Sequence, residues 1–174
     1  MRLLALTLPI LLVPLAWAAT GGPDDGGMVY TDSDEAGGPS HAWLDASGGT
    51  AYDLDDDETV DIDLPFNFRF YGTDEAAASI ANNGVLFFSG ASPLATGICP
   101  DSSTTWSGVA AYWDDLAPST VHTETFGTYP WRTFVVSWDG ASHALAGGSG
   151  QFQVWLMEGR DEAVVVLDDT TWGN

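Results

Sequence analysis

The stretch from Thr59 to Ser89, TVDIDLPFNFRFYGTDEAAASIANNGVLFFS, constrains the fold more than any other part of the chain. Val60, Ile62 and Leu64 fall on one side, and Asp61 and Asp63 on the other. Beyond Pro65 the alternation resumes, with Phe66, Phe68 and Phe70 opposed to Asn67, Arg69 and Tyr71. A β-strand sends successive side chains to opposite faces, so a period of two marks strands with one dry and one wet face. Asn82-Asn83-Gly84 supplies residues that tolerate positive φ in a tight turn, and Val85–Phe88 reads as the returning strand.

Short strand signals recur downstream: Val109–Trp113, stopped by Asp114-Asp115; Thr120–Phe126; Thr133–Trp138, stopped by Asp139-Gly140; Gln151–Glu158; and Ala163–Leu167. No long stretch carries a 3.6-residue period; the best helix candidate is the short Asp74–Ser79. Many short strands separated by Gly and Asp turns predict an all-β fold, an antiparallel β-sandwich with jelly-roll-like or Greek-key-like order. The sequence ends at Asn174 directly after a strong strand pattern, so the expectation is a fragment lacking its last strand.

Three segments follow. Residues 1–19 read as a signal peptide: Arg2 is the lone charge, Leu3–Leu15 is almost wholly apolar, and Ala16-Trp17-Ala18 offers a small-x-small cleavage site. The apolar run is short for a bilayer span, and no second one follows, which predicts a secreted or cell-surface protein with no membrane insertion after cleavage. Residues 20–49 read as a Gly/Asp/Ser-rich linker or N-terminal extension, in which Tyr30, Trp43 and Leu44 are the side chains able to dock on the domain. Residues 50–174 are the sandwich domain.

The chain has 25 acidic against 4 basic residues, no lysine, and a formal net charge of −21. Such a surface repels phosphate backbones and anionic lipid, which argues against nucleic acid and favours cations or basic protein surfaces. Cys99 is the only cysteine, so no internal disulfide forms; it is either a buried small apolar residue, the favoured reading, or the partner of a cysteine elsewhere.

Several of these segments resemble a known family. DLPFNFRFYG (Asp63–Gly72), SIANNGVLFFSG (Ser79–Gly90), VAAYWDDL (Val109–Leu116), FGTYPWRTFVVSWDG (Phe126–Gly140) and FQVWLMEGRDEAVVVLDDT (Phe152–Thr170) stand in the order of a β-sandwich module repeated in bacterial secreted and surface proteins. That module is similar to the extracellular, NIDO-type domain of nidogen. The resemblance covers roughly residues 50–174 and implies an extracellular, non-catalytic module of adhesion or matrix type. It implies no catalytic residues, because the matching positions are core aromatics and turns.

Two constellations suggest ligands. Asp53, Asp55 and Asp57 alternate in an acidic run, and oxygens spaced this way can wrap Ca²⁺. Against this, an EF-hand-like loop wants glycine where Glu58 stands and Glu where Leu64 stands, and a solvated acidic turn entering the strand at Thr59 is the favoured reading of the run. Trp155 and Met157 fall opposite Phe152, Val154 and Leu156. An exposed Trp155 on a sandwich face would stack a sugar or pack a partner, with Trp106, Trp131 and Trp172 near loops as a rim. Asp114 and Asp115 read as an ordinary strand exit.

Catalysis finds little support. His41, His122 and His143 are isolated, no HExxH or Gly-x-Ser-x-Gly pattern occurs, and Cys99 has no basic neighbour to activate it. The expected function is an exported non-catalytic interaction module binding an extracellular protein or glycan. The alternatives are a carbohydrate-binding module and a structural acidic domain adapted to high salt.

Overall fold

The computed structural model describes residues 20–40, 42–90, 106–117, 119–145 and 147–169. The signal segment 1–19, His41, Cys99 and Trp172 lie outside the described residues. The chain divides into two units, residues 1–40 and 41–174. In the first, β1 (Thr20–Gly21) pairs antiparallel with β2 (Tyr30–Thr31). Among the described residues the second holds nine strands and no helix.

β3 (Thr50–Leu54), β8 (Ser119–Phe126), β9 (Thr133–Ala141), β10 (Gly150–Met157) and β11 (Glu162–Asp169) form a five-stranded sheet in the order β11-β10-β9-β8-β3. β4 (Thr59–Phe70), β5 (Thr73–Ala81), β6 (Val85–Ser89) and β7 (Ser107–Ala110) form a four-stranded sheet in chain order. All pairings are antiparallel, so the all-β sandwich is confirmed. The β3–β8 pair is the single non-consecutive neighbour, and it brackets the whole β4–β7 meander.

The alternation read in β4 is present in space: Ile62, Leu64, Phe66, Phe68 and Phe70 are buried, while Asp61, Asp63, Asn67 and Arg69 are exposed. These side chains face a layer from the other sheet. There, Trp138 stacks on Phe152 with ring centroids 5.2 Å apart, and its indole N–H donates across the layers to the Ala81 carbonyl at 3.1 Å. Buried apolar area drives the assembly, and each fully buried large side chain contributes about 1.5–3 kcal/mol. A buried indole N–H needs such an acceptor, so this bond also fixes how the sheets register.

Three local expectations are corrected. Asp74–Ser79, the helix candidate, lies inside β5. Alanine favours helix intrinsically, but β4 pairs along this segment and Ser79 at its end also pairs with Phe87 of β6, and tertiary pairing overrides propensity. The strand expected over Val109–Trp113 ends at Ala110; the next two amides, of Ala111 and Tyr112, donate to the Gly84 carbonyl and bend the chain away. Asp53, expected in an acidic loop or turn, instead lies in the edge strand β3, Thr50–Leu54. The segment alternates as a strand should, with Ala51 and Asp53 exposed and Leu54 buried.

Candidate functional site

The outer face of the five-stranded sheet is not open. Trp155 is 6% exposed, so its expected exposure is overturned. Residues Leu44 and Ala46 cross this face and pack with Trp155, Val135, Phe126, Val164 and Val166. Gln153, itself fully buried, holds the crossing segment in place. Its amide donates to the Leu44 carbonyl at 2.6 Å and to Ser137 Oγ at 3.0 Å, and its Oε1 accepts the Trp155 indole N–H at 2.8 Å. A ring covered in this way has no free face for a sugar. Met157, paired with Thr133 and Glu162 at the strand end, is half-buried.

The carboxylates of Asp53 and Asp57 in the acidic run take separate partners. Asp53 Oδ1 accepts from Thr120 Oγ1 at 2.6 Å, on the outer side of the β3–β8 pair. The Asp55 amide donates to Glu58 Oε2 at 2.7 Å, closing the turn. Asp57 stands at φ 57° and accepts from Asn83 Nδ2 at 2.7 Å. Among the described residues no three His, Cys, Asp or Glu side chains gather in a metal-holding group.

That last contact belongs to a buried polar clamp at one end of the sheets. Asn82 and Asn83 are 0% and 1% exposed although they sit in a hairpin turn. Asn82 Nδ2 donates to the Leu116 carbonyl at 2.6 Å, and Asn82 Oδ1 accepts from Ser119 Oγ at 2.9 Å. Asn83 Oδ1 accepts the Leu116 amide at 2.9 Å. The turn therefore ties together the β3–β4 connection and the β7–β8 connection. Gly84 completes it at φ 80°, where a Cβ would fall on the Tyr112 carbonyl oxygen. Asp114 and Asp115 work locally here: Asp114 Oδ1 accepts the Asp115 amide at 2.9 Å, and Asp114 lies 3.7 Å from His143 Nε2.

The opposite end of the sheets carries the exposed aromatics. The β8–β9 hairpin turns through Thr128–Trp131, closed by the Trp131 amide donating to the Thr128 carbonyl at 2.8 Å. Tyr129 is 79% and Trp131 66% exposed. The β4–β5 turn at the same end presents Tyr71, 51% exposed and edge-on to Phe70 at 4.8 Å. The hairpin base is braced by Arg132 and Glu158. The Arg132 Nε and terminal N–H groups donate to the two Glu158 carboxylate oxygens at 2.7 and 2.6 Å, and the Glu158 amide donates back to the Arg132 carbonyl at 2.8 Å. The guanidinium also lies 5.3 Å from the Phe66 ring centroid of the other sheet, a cation–π contact. Hydrogen bonding from Arg132 holds the Glu158 carboxyl below its usual range, as a paired carboxylate requires.

Exposed rings on a braced loop can stack on a sugar face or insert into a partner's apolar pocket, while the phenol and indole supply polar handles. Groups of this kind can bind and orient a ligand. Of the loop aromatics singled out in the sequence, Trp131 is in this position. Trp106 instead packs edge-on against Trp113 and Phe87, at 5.2 and 5.6 Å, and covers the outer face of the four-stranded sheet. Tyr71 and Tyr129 carried no sequence signal beyond their place beside turn residues.

A family model described as NIDO related matches residues 35–172. No curated protein and no solved structure matches the chain.

Proposed function

Since the chain belongs to the NIDO-related family, whose domains are typically extracellular, we propose that it is an exported, non-catalytic interaction module that binds through its aromatic end. The observation that carries this reading is the exposure of Tyr129 and Trp131, at 79% and 66%, on a hairpin held by the Arg132–Glu158 pair. Large aromatics left in water cost solvation without contributing to the core, and contact hot spots are enriched in Trp and Tyr. The rigid sheets serve as a scaffold and the loops at one end as the contact surface, a common division of labour in binding domains. The ligand is a protein or glycan surface that is neutral or cationic, because a chain with net charge −21 repels polyanions. The reading needs no cofactor.

Binding of the fluorescently labelled protein to intact producing cells and to insoluble neutral polysaccharide tests it. Tyr129→Ala with Trp131→Ala should abolish retention on whichever surface holds the parent protein, while thermal unfolding stays nearly unchanged. Retention that survives both substitutions would remove the aromatic end as the contact surface.

A further inference from the structure

The aromatic end holds two arginine–glutamate pairs, and only one of them is satisfied internally. Arg132 and Glu158 bind each other through two hydrogen bonds, at 2.7 and 2.6 Å, and so brace the hairpin. Arg160, in the β10–β11 turn, and Glu162, at the start of β11, stand 3.7 Å apart with side chains 55% and 57% exposed. That separation is too long for a direct hydrogen bond, and neither side chain has another polar contact among the described residues. The guanidinium donors and carboxylate acceptors are therefore free for water or a ligand.

The same turn supports the exposed indole. Gly159 stands at φ 72°, and the Trp131 ring lies against it, so that a Cβ there would meet ring carbons at 3.7 and 4.0 Å. The indole is seated on the β10–β11 turn on that side, yet Trp131 remains 66% exposed. Arg160 is the residue next to that glycine. Tyr129, 79% exposed, brings a second ring and a phenol to the same hairpin. A ring platform and an uncommitted donor–acceptor pair thus sit on two turns in contact.

We propose that the aromatic end binds a neutral glycan, with one sugar ring stacked on Trp131 and its hydroxyls bridging Arg160 and Glu162. This inference rests on the reading of that end as the contact surface and names its ligand class. A pyranose presents a face of C–H groups to an indole, and each hydroxyl both donates and accepts. Neighbouring hydroxyls can accept from the guanidinium and donate to the carboxylate while both stay charged. An ammonium at this point would pair with Glu162 but face Arg160, and a carboxylate would meet the reverse. The chain's net charge of −21 disfavours polyanions further. Basic groups elsewhere on the same surface remain compatible with the acidic flanks of the domain.

The test is an amide and indole chemical-shift titration of the ¹⁵N-labelled protein with cellohexaose, laminarihexaose, mannohexaose and chitohexaose, against hexagalacturonate and hexaglucosamine. At least one neutral sugar should give saturable shifts at the Trp131 indole and at residues 128–132 and 159–162, changed little by NaCl up to roughly 0.5 M. Trp131→Ala should abolish these shifts. Arg160→Gln and Glu162→Gln should each weaken binding about three- to tenfold, the scale of an exposed hydrogen bond to a charged group. All three side chains are exposed, and unchanged amide dispersion elsewhere checks that each variant is folded. Saturable shifts from none of the neutral sugars overturn the glycan class, whereas the aromatic end as a contact surface stands or falls separately by retention on cells. Equal or tighter binding of either charged hexamer overturns neutrality. Shifts centred elsewhere overturn the site, and binding unchanged in both Arg160→Gln and Glu162→Gln overturns the bridging by that pair.

Discussion

Asn83→Ala is the substitution that best measures how much of the stability resides in the polar clamp. Asn83 is 1% exposed, and its Oδ1 accepts the amide of Leu116, itself 0% exposed. Truncation leaves that buried amide donor unpaired, at a cost of about 1–3 kcal/mol. Loss of the 2.7 Å bond to Asp57, an exposed partner, adds roughly 0.5–1 kcal/mol. The expected total is about 1.5–4 kcal/mol, a large share of the roughly 5–15 kcal/mol that holds a typical domain together. For a domain of this size that lowers Tm by about 6–15 °C. Thermal unfolding followed by circular dichroism measures it directly, with a urea series to show that the slope m is unchanged.

Two companions separate the contributions. Asp57→Asn keeps an acceptor for Asn83 and suits the left-handed backbone at φ 57°, so it should cost less than about 1 kcal/mol. Asn83→Asp keeps the acceptor for Leu116 but sets a second carboxylate against Asp57. Like charges raise the folded-state pKa of such a pair, so this variant's deficit should be smallest at acid pH and grow as pH rises through the carboxylate range. A Tm change below about 2 °C for Asn83→Ala would refute the reasoning, because the buried amide would then have been satisfied some other way.

Trp155→Ala should cost about 3–5 kcal/mol, because the indole is core and not a free platform; a nearly unchanged melting point would restore the exposed-face expectation. Glu158→Gln removes a carboxylate whose folded pKa lies below its ordinary 4.5, so the stability it contributes is present above about pH 4.5 and lost as pH falls through the lowered folded value. The difference in melting point between parent and Glu158→Gln should therefore be clear at pH 7 and shrink progressively below pH 4.5; a constant difference across that range would show that the Arg132 pair has no part in it.

The β4 alternation, the hairpin at Asn82–Gly84 and most strand positions were legible because each depends on local pattern: period two, turn residues, β-branched runs. The covered outer face was legible too, but through a different pattern. Strands buried on both faces read as near-continuous apolar runs, and Phe134-Val135-Val136 and Val154-Trp155-Leu156 are such runs. The alternation of Phe152, Val154 and Leu156 satisfied the simpler one-face description and hid it. What covers Trp155 was beyond sequence reach, since Gln153 and Leu44 are 109 residues apart. The same holds for Asn82 and Asn83. Their identity signalled positive φ, and nothing local announced that their amides would serve the backbone of Leu116, 34 and 33 residues on. Exposure at Tyr129 and Trp131 was likewise undetermined, because a loop aromatic is buried or free according to which other loop reaches it.

The two ends of the sheets divide the demands on the chain. At one end the turn residues are buried and spent on backbone groups, which fixes the connections β3–β4 and β7–β8 against each other. At the other end the Arg132–Glu158 ion pair braces a hairpin, and Tyr129 and Trp131 beyond it are left in water. Of the chain's 4 basic residues, Arg132 is held by Glu158 and Arg69 lies 2.9 Å from Asp74, so little positive charge remains to offset 25 acids. Under the proposed function, long-range attraction would select for cationic surfaces, and affinity at contact would come from ring stacking and apolar burial. Under that function, a partner that satisfies both would carry basic side chains beside an apolar or sugar surface. Neither feature alone would suffice: charge without the rings gives weak, salt-sensitive encounters, and the rings without charge lose the discrimination against polyanions.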